Sequence, residues 1–399
     1  MKIFKLLFLL ISTYMFAQTP ELIFNSGFES GVTMSPVTSN TTDLLGVDPT
    51  YPLNSNWVTD LNNDANIGYC SFQFDNGPDS SRNMELIAEP GKPTNRVLHF
   101  WSKHPYSGLG RCQAAIYKNE GLKNIYYSIR MKLKPDVNAL KSIKKTFDWF
   151  TIMEFWNNPN WLGDPHPFRV SVNLPKLTKN NDSLRIRAYG QTYDSVAGKW
   201  NYVWDTINSK YTMPVGKWVK LEVHFIEGNQ KNGRFKMIMT PEGGSAITIF
   251  DVTDFTHHPD DPSPDGLTHF NPFKLYTQGD LVDSVTNKKK LLGIYWDDFI
   301  LWKNKAISVG LDDETFLKNK FLYFDTFSNE LKMYNSGNDQ EMFFVQLTDI
   351  TGKLLFEQPY SVADNIRISC SGFSNQILIA KIRSNREGTA TQKVILDKY

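Results

Sequence analysis

Phe168-Arg169-Val170-Ser171-Val172-Asn173-Leu174 alternates without a break, with Phe168, Val170, Val172 and Leu174 on one side and Arg169, Ser171 and Asn173 on the other. An extended chain sends successive side chains to opposite faces, so a period of two marks a strand with one face in an apolar core. Three other stretches read the same way. In Arg111–Tyr117, Arg111, Gln113 and Tyr117 oppose Cys112, Ala114 and Ile116. In 184–193, Arg185, Arg187, Tyr189, Gln191 and Tyr193 oppose Leu184, Ile186 and Ala188. In 273–278, Lys274, Tyr276 and Gln278 oppose Phe273 and Leu275.

Outward from these, further runs rich in Val, Ile, Phe, Tyr and Trp are separated by Gly, Asn, Asp and Pro clusters. They are Val97–Trp101, Tyr126–Leu133, Trp149–Trp156, Trp218–Phe225, Phe235–Met239 and Gly293–Trp302. Such runs predict strands, and one short helical turn is expected at Asp136–Ile143. No strand–helix–strand rhythm appears. The expected class is therefore all-β: an antiparallel β-sandwich of the jelly-roll type, followed by a small C-terminal β-sandwich. Polar, charged residues 305–320 read as a linker, which gives a large domain over 18–304 and a small one over 321–399. Within the latter, Phe343–Leu355 reads as a hairpin turning at Thr351-Gly352, and Thr391–Tyr399 as a final amphipathic strand.

The polar faces share one vocabulary of Arg, Lys, Gln, Asn and Tyr. Laid side by side, they would form a surface carrying Arg111, Arg169, Arg185, Arg187 and Lys274, with few carboxylates opposite. Cations gathered in this way repel one another unless an anion visits them. Arg grips carboxylate or sulfate bidentately and Tyr stacks on sugar rings, so the expected ligand is an acidic polysaccharide. A solvated outer face is the plainer reading of any one strand; the repetition over four strands favours the groove.

The ends and the composition bound the setting. Lys2 and Lys5, an apolar run from Leu6 to Phe16 and then Ala17 follow the order of a secretory signal peptide over 1–17. That run is shorter than the roughly 20 apolar residues needed to span a bilayer, so an exported chain without a membrane span is expected. A net charge of +1 argues against a nucleic-acid partner. Cys70, Cys112 and Cys370 show no metal-ligand spacing; a Cys70–Cys112 disulfide and a free state both remain open.

Several motifs, in order, resemble those of the concanavalin-like jelly-roll polysaccharide lyases, the group of heparin-lyase-like, glucuronan, alginate and ulvan lyases. They are Arg111-Cys112-Gln113, Ile152–Asn157, Gly216-Lys217-Trp218-Val219, Phe273-Lys274-Leu275-Tyr276 and Ile294–Phe299, over about residues 22–303. Glu154 and Trp156 stand where that group shows Gln and His, so its usual His base is missing there. The tail, with Asp349–Leu355, Asn375–Ile382 and Lys393–Leu396, resembles the sorting domain of proteins exported by the type IX secretion system.

The lyase resemblance implies β-elimination: a uronate carboxylate is neutralised, a base removes the C5 proton, and an acid protonates the leaving O4. On that reading Arg111, Gln113, Arg169 and Asn173 neutralise the carboxylate. Tyr276 is the acid and also a candidate base, its phenol acidified by Lys274 and nearby Arg. His166 is the alternative base. Arg185, Arg187, Tyr189, Lys274, Tyr117 and Glu154 are expected to bind substrate. His257, His258 and His269 are expected in a surface loop rich in Pro and Asp, with a role at the groove rim or on a metal as the alternative. No cofactor is needed for catalysis, although a structural Ca²⁺ held by Asn25, Glu29 and Asp298 fits the chemistry of hard oxygen ligands. The expected protein is a secreted or cell-surface monomer acting on a uronate polymer, ulvan foremost, with the type IX machinery as its export partner. The alternatives are a non-catalytic carbohydrate-binding protein and a glycoside hydrolase. The hydrolase needs two carboxylates some 5–10 Å apart, for which these strands supply no candidate pair.

Overall fold

A computed structural model of the chain describes residues 20–38, 40–50, 55–58, 60–61, 69–74, 82–103, 109–180, 183–305, 320–325, 329–335, 342–361, 366–373, 376–384 and 388–396. The expected signal peptide over 1–17 and nearly all of the expected linker lie outside these residues. The chain divides into two units, 1–307 and 308–399.

In chain order the strands of the first unit are β1 (Glu21–Ser26), β2 (Val32–Met34), β3 (Thr41–Thr42), β4 (Leu44–Gly46), β5 (Tyr69–Phe74), β6 (Arg82–Glu89), β7 (Lys92–Ser102), β8 (Leu109–Glu120), β9 (Asn124–Leu133) and β10 (Phe150–Asn157). They continue with β11 (Phe168–Asn173), β12 (Ile186–Asp194), β13 (Lys199–Asn208), β14 (Val219–Ile226), β15 (Arg234–Pro241), β16 (Ile247–Thr253), β17 (Gly266–Asn271), β18 (Lys274–Gln278) and β19 (Leu292–Lys303). One sheet runs β16-β15-β14-β9-β19-β7-β6, with β1 on β19. The other runs β13-β12-β11-β10-β17-β8-β5-β3, with β18 also pairing β10 and β8. Pairing is antiparallel in both. The fold is the all-β antiparallel sandwich of jelly-roll type that the alternation predicts.

The apolar faces of both sheets meet in one core. Across it Tyr127 lies 6.0 Å from Phe155, Phe72 lies 6.4 Å from Phe100, and Phe155 stacks on Phe225 at 5.3 Å. The expected turn after β9 is a single 3₁₀ turn, Pro135–Val137, running into a short helix, α1 (Asn138–Lys141). A second helix, α2 (Gly279–Thr286), follows β18 directly and was not expected; it buries Leu281, Val282 and Val285.

One irregularity shapes the polar face. β17 and β18 occupy the same lane between β10 and β8, but Phe270 faces Ile116 while Lys274 faces Gln113. Four steps on one strand thus match three on its neighbour, which is a β-bulge at 271–273. Pro272 has no N–H to give a ladder, and the Asn271 carboxamide donates to the Ala114 carbonyl at 2.7 Å. The extra residue reverses the alternation. Phe273, which parity with His269 and Asn271 would turn outward, is fully buried, and Lys274 takes its place on the polar face.

Phe273 packs among Phe28, Phe72, Phe100, Trp296 and Phe299, at centroid distances of 5.3–6.2 Å. Phe273→Ala is therefore expected to lower unfolding free energy by about 3–5 kcal/mol. Urea denaturation checks this; a loss under about 1 kcal/mol would show that the surroundings collapse into the space.

Cys70 faces Ile116 and Cys112 faces Phe74 in the β5–β8 register, and both are buried with neither in a disulfide. This disposes of the Cys70–Cys112 disulfide, because the two positions sit four residues apart along the ladder.

The second unit is a pair of small antiparallel sheets. Lys320–Asp325, Glu330–Asn335 and Arg367–Ser369 form one; Leu354–Ser361, Met342–Asp349, Gln376–Ser384 and Gly388–Leu396, in that spatial order, form the other. Leu331, Phe343, Val345, Leu347, Ile368, Leu378 and Ile382 are buried between them. The hairpin turn is built by Asp349, whose Oδ1 accepts from the Thr351 and Lys353 backbone N–H groups and the Thr351 hydroxyl. Gly352 supplies the left-handed φ of 86° that the turn needs.

Candidate functional site

A cavity of about 460 Å³ opens on the polar face of the second sheet of the first unit. β8 contributes Arg111, Gln113 and Tyr117; β10 contributes Glu154 and Trp156; β11 contributes Arg169; β17 and β18 contribute His269, Asn271, Lys274 and Tyr276. Gln73 on β5, Trp200 on β13, and Asn160 and Trp161 on the turn after β10 complete it.

Its floor is an ion pair. Lys274 Nζ donates to Glu154 Oε2, Ser171 Oγ donates to Glu154 Oε1 at 3.1 Å, and Arg169 Nη1 lies 3.8 Å from the same oxygen. Burial alone would raise the Glu154 carboxyl, but Lys274 and Arg169 outweigh it and hold the group below the usual carboxylate range. Burial also pushes the Lys274 ammonium down, with Arg111 and Arg169 adding to the effect and Glu154 opposing it. Three cations thus face one carboxylate that is already engaged, so the lining carries an excess of positive charge suited to an anion.

Tyr276 stands over this floor. Lys274 Nζ is 4.7 Å and Arg111 Cζ 5.4 Å from its ring centroid, and Trp149 meets it edge-on at 4.8 Å. Lys274 and Arg111 thus bring positive charge to the face of the ring. Beside it, Gln113 Nε2 donates to Gln73 Oε1 at 3.0 Å and Gln73 Nε2 to the Tyr117 hydroxyl at 2.5 Å. That relay holds the Tyr117 ring flat against His269, at 4.4 Å and 25°.

His269 is not in a surface loop: it lies on β17 opposite Trp156 and is 2 % exposed. Burial pushes its imidazole down to about 3, with Lys274 acting the same way and Glu154 against. The neutral ring is one with a stability consequence. The unfolded imidazole binds a proton near 6.5 and the native one only near 3, so between these values the unfolded state binds more protons. Stability contributed by His269 is then complete above about 6.5 and lost as pH falls, by at most about 1.4 kcal/mol per pH unit. His224, pushed down to about 4 by burial, acts the same way; Asp297, raised to about 8 by burial and Asp298, acts oppositely. The expected result is that His269→Gln unfolds with a weaker pH dependence than the parent between pH 7 and 4, measured by urea denaturation. Parallel profiles would mean that His269 is not held neutral.

At the other end of the cavity, indoles surround a guanidinium. Trp156 meets Trp161 at 4.5 Å and Trp200 at 5.5 Å, both edge-on, and Arg169 Cζ lies 4.2 Å from the Trp200 centroid and 5.3 Å from that of Trp156. Trp161 is half exposed and offers a flat apolar face of the kind on which sugar rings stack. Among the lining residues, Gln113 Oε1, Trp156 Nε1, His269 Nδ1 and Asn271 Oδ1 are buried polar atoms without a partner. Such atoms are costly unless something bonds them, and their gathering in one cavity suits a polar ligand.

Of the residues expected from sequence, Arg111, Gln113, Tyr117, Glu154, Arg169, Lys274 and Tyr276 line the cavity. Five do not. His166 sits in the turn before β11 at φ 57°, its ring 5.2 Å from that of His258. Asn173 is fully buried and accepts from Thr151 Oγ1 at 2.7 Å. Arg185 precedes β12 and donates to the Ser209 carbonyl. Arg187 makes a bidentate pair with Asp205 and reaches Asp148 at 3.5 Å, and Tyr189 packs edge-on against Tyr202. The expected run of uncompensated cations is thus corrected: β13, not foreseen as a strand, brings Asp205 against Arg187, and Glu154 reaches across to Lys274. Of the residues expected to hold calcium, Glu29 has its carboxyl raised by burial, with Asp48 and Asp298 near enough to add to the effect. Asn25 Oδ1 accepts from Ser55 Oγ, Glu29 accepts from the Arg96 backbone N–H, and Asp298 lies 3.3 Å from Arg130 Nη1. Among the described residues no group of three or more His, Cys, Asp or Glu is placed to hold a metal ion.

Sequence reasoning missed Gln73, Trp156, Asn160, Trp161, Trp200 and Asn271, and gave His269 a place at the groove only as the lesser alternative. Gln73 was within reach, since Cys70, Phe72 and Phe74 alternate with Ser71 and Gln73 as cleanly as the four strands that were read. His269 and Asn271 were hidden by the bulge, which puts odd-numbered residues before it on the same face as even-numbered ones after it.

Comparison with protein-family models and with curated proteins gives no match. Among solved structures, the chain is similar to an endo-β-1,4-glucuronan lyase from the fungus Trichoderma reesei at 14 % identity and TM-score 0.35, covering 55 % of this chain and 86 % of that one. It is similar to a PL-14 alginate lyase from Aplysia kurodai at 12 % and 0.37, covering 67 % and 99 %. It is likewise similar to the exoplasmic/lumenal domain of VIP36 in a Ca²⁺/Man3GlcNAc-bound form, at 11 % and 0.32, covering 61 % and 87 %. Likenesses this distant assign no activity.

Proposed function

We propose that the first unit is a polysaccharide lyase that cleaves an acidic, uronate-containing polymer by β-elimination, with ulvan the favoured substrate. The observation that carries this reading is Tyr276, a phenol under two cations in a cavity whose single carboxylate is already bound. Arg111, with the amide of Gln113, receives the uronate carboxylate and makes the C5 proton acidic. Asn173, first given a part here, is fully buried and its carboxamide oxygen accepts from Thr151. Tyr276 delivers a proton to O4 as the glycosidic bond breaks. Trp161 and Trp200 stack neighbouring sugars, and Arg169 meets a carboxylate or sulfate ester; a sulfated uronate polymer such as ulvan offers both anions. A glycoside hydrolase is disfavoured because the described lining holds one carboxylate where that chemistry needs two.

The same reading makes residues 1–17 a signal peptide and 321–399 a type IX sorting domain, so that the protein acts as a monomer outside the cell or on its surface. No helix among the described residues is long and apolar enough to cross a membrane.

The test is to follow the ultraviolet absorbance of the unsaturated product while the protein acts on ulvan, alginate, glucuronan and heparin in parallel. A rise on one polymer establishes elimination and names the substrate. No rise on any, with retardation in gels containing the same polymers, would make the unit a carbohydrate-binding protein. The indole cluster would serve such a protein equally well.

A further inference from the structure

The two short helices put a lysine-rich surface beside the cavity. β18 carries Lys274 and Tyr276 into the lining, and α2 starts directly after its last residue, Gln278. β10 is reached from α1 through residues 142–149, where Trp149 meets Tyr276 edge-on and its carbonyl accepts from Thr277 Oγ1 at 2.6 Å. Both segments therefore leave the lining at its Tyr276 end, away from the indoles. They are also tied to each other. Lys145 Nζ pairs with Asp280 Oδ2, and Lys288 Nζ donates to the Ala139 carbonyl at 3.1 Å and to Ser142 Oγ at 2.6 Å. Residues 134–145 and 279–290 hold seven lysines and three aspartates, an excess of four positive charges in a chain whose net charge is +1.

Lysines near the C-terminus of a helix ordinarily satisfy its free carbonyls. Here that task is already filled. Lys176, 1 % exposed, gives its Nζ to the Lys141 and Ile143 carbonyls, and Lys288 takes that of Ala139. Lys134 already holds Asp136 at 3.0 Å. Lys144, Lys289 and Lys290 are exposed beyond these contacts. Neither segment contains Phe, Tyr or Trp, and Val137, Ala139, Leu140, Leu281, Val282 and Val285 are buried. The surface thus offers charge, with no ring for a base to stack on and no apolar wedge for a bilayer. Lysine is a flexible point charge, which suits anions strung along a polymer. From this juxtaposition of surplus lysines and the Tyr276 end of the cavity, we infer that the α1–α2 surface is a second binding site. It holds the part of an anionic polysaccharide that runs on beyond the cavity, and it favours long chains because the second contact is intramolecular.

The inference rests on the acidic-polymer part of the proposed function and not on its chemistry, so binding and cleavage are measured separately. The full chain and a variant with Lys144→Gln, Lys289→Gln and Lys290→Gln are compared by retardation in gels containing ulvan, alginate, glucuronan or heparin, at several salt concentrations. On the polymer that retains the parent best, the variant is expected to bind about tenfold more weakly at low salt, three exposed charge contacts having been lost. Its affinity should also fall less steeply as salt is added. A trisaccharide of the same polymer, too short to leave the cavity, should bind both proteins equally, and Lys→Arg at the three positions should restore retention. Unchanged retention of the variant, or an equal loss on the trisaccharide, would overturn the inference and leave the lyase reading standing. So would tighter binding of the parent to duplex DNA or to phosphatidylglycerol vesicles than to any of the polysaccharides. Weakened retention of the variant without unsaturated product from the parent would support the inference and remove the lyase reading. A parent retained by none of the polymers would overturn both.

Discussion

Tyr276→Phe is expected to lower kcat for elimination by about 10²–10⁴-fold while leaving KM within a few fold. The substitution removes one oxygen and nothing else. The phenyl ring keeps its edge-on contact with Trp149 at 4.8 Å and its place near Lys274 and Arg111, so the cavity retains its shape and its cations. Substrate binding draws on the arginines, amides and indoles, whereas proton transfer draws on the phenol. A loss confined to kcat therefore marks a group acting in the transition state alone. Ultraviolet absorbance of the product on the polymer the parent cleaves best reads the change. A decrease below tenfold would place the acid elsewhere in the cavity.

Glu154→Gln is expected to destabilise the first unit by about 3–5 kcal/mol and to lower its Tm by roughly 5–15 °C. The carboxamide fills the same space, but it leaves the Lys274 ammonium, 3 % exposed, facing Arg111 and Arg169 without the carboxylate that balances them. A charge buried alone costs far more than a buried pair gains. Two further results separate this from a packing defect. The deficit should shrink as pH rises, because burial lowers the Lys274 value below that of the unfolded side chain. Between the two values the unfolded state binds more protons, so stability increases with pH. Adding Lys274→Met should restore most of the lost stability, since replacing both partners removes the uncompensated charge. Calorimetry of the three variants checks both. An unshifted Tm for Glu154→Gln would mean that water reaches the floor and screens Lys274.

The two expectations meet in one device. Glu154 holds Lys274 in the floor, and Lys274 in turn stands 4.7 Å from the ring of Tyr276. The group whose loss would destabilise the sheet is therefore the one that holds positive charge beside the phenol ring.

The sandwich and seven residues of the cavity were legible in the sequence because both follow from local alternation. Arg111, Gln113 and Tyr117 share a face by spacing alone, as do Lys274 and Tyr276, and no tertiary information is needed to see it. The hairpin at Asp349–Gly352 was legible for a similar reason, since its turn chemistry lies within five consecutive residues. Tertiary structure alone decided three things. It decided the phase of β17 against β18, because the bulge at 271–273 exists only through pairing with β8. It decided which cations are balanced, because Asp205 meets Arg187, and Glu154 meets Lys274, across strands that lie far apart in the chain. It also decided the state of His269, whose neutrality comes from burial. Alternation is a property of one strand, whereas register, charge pairing and desolvation belong to strands brought together.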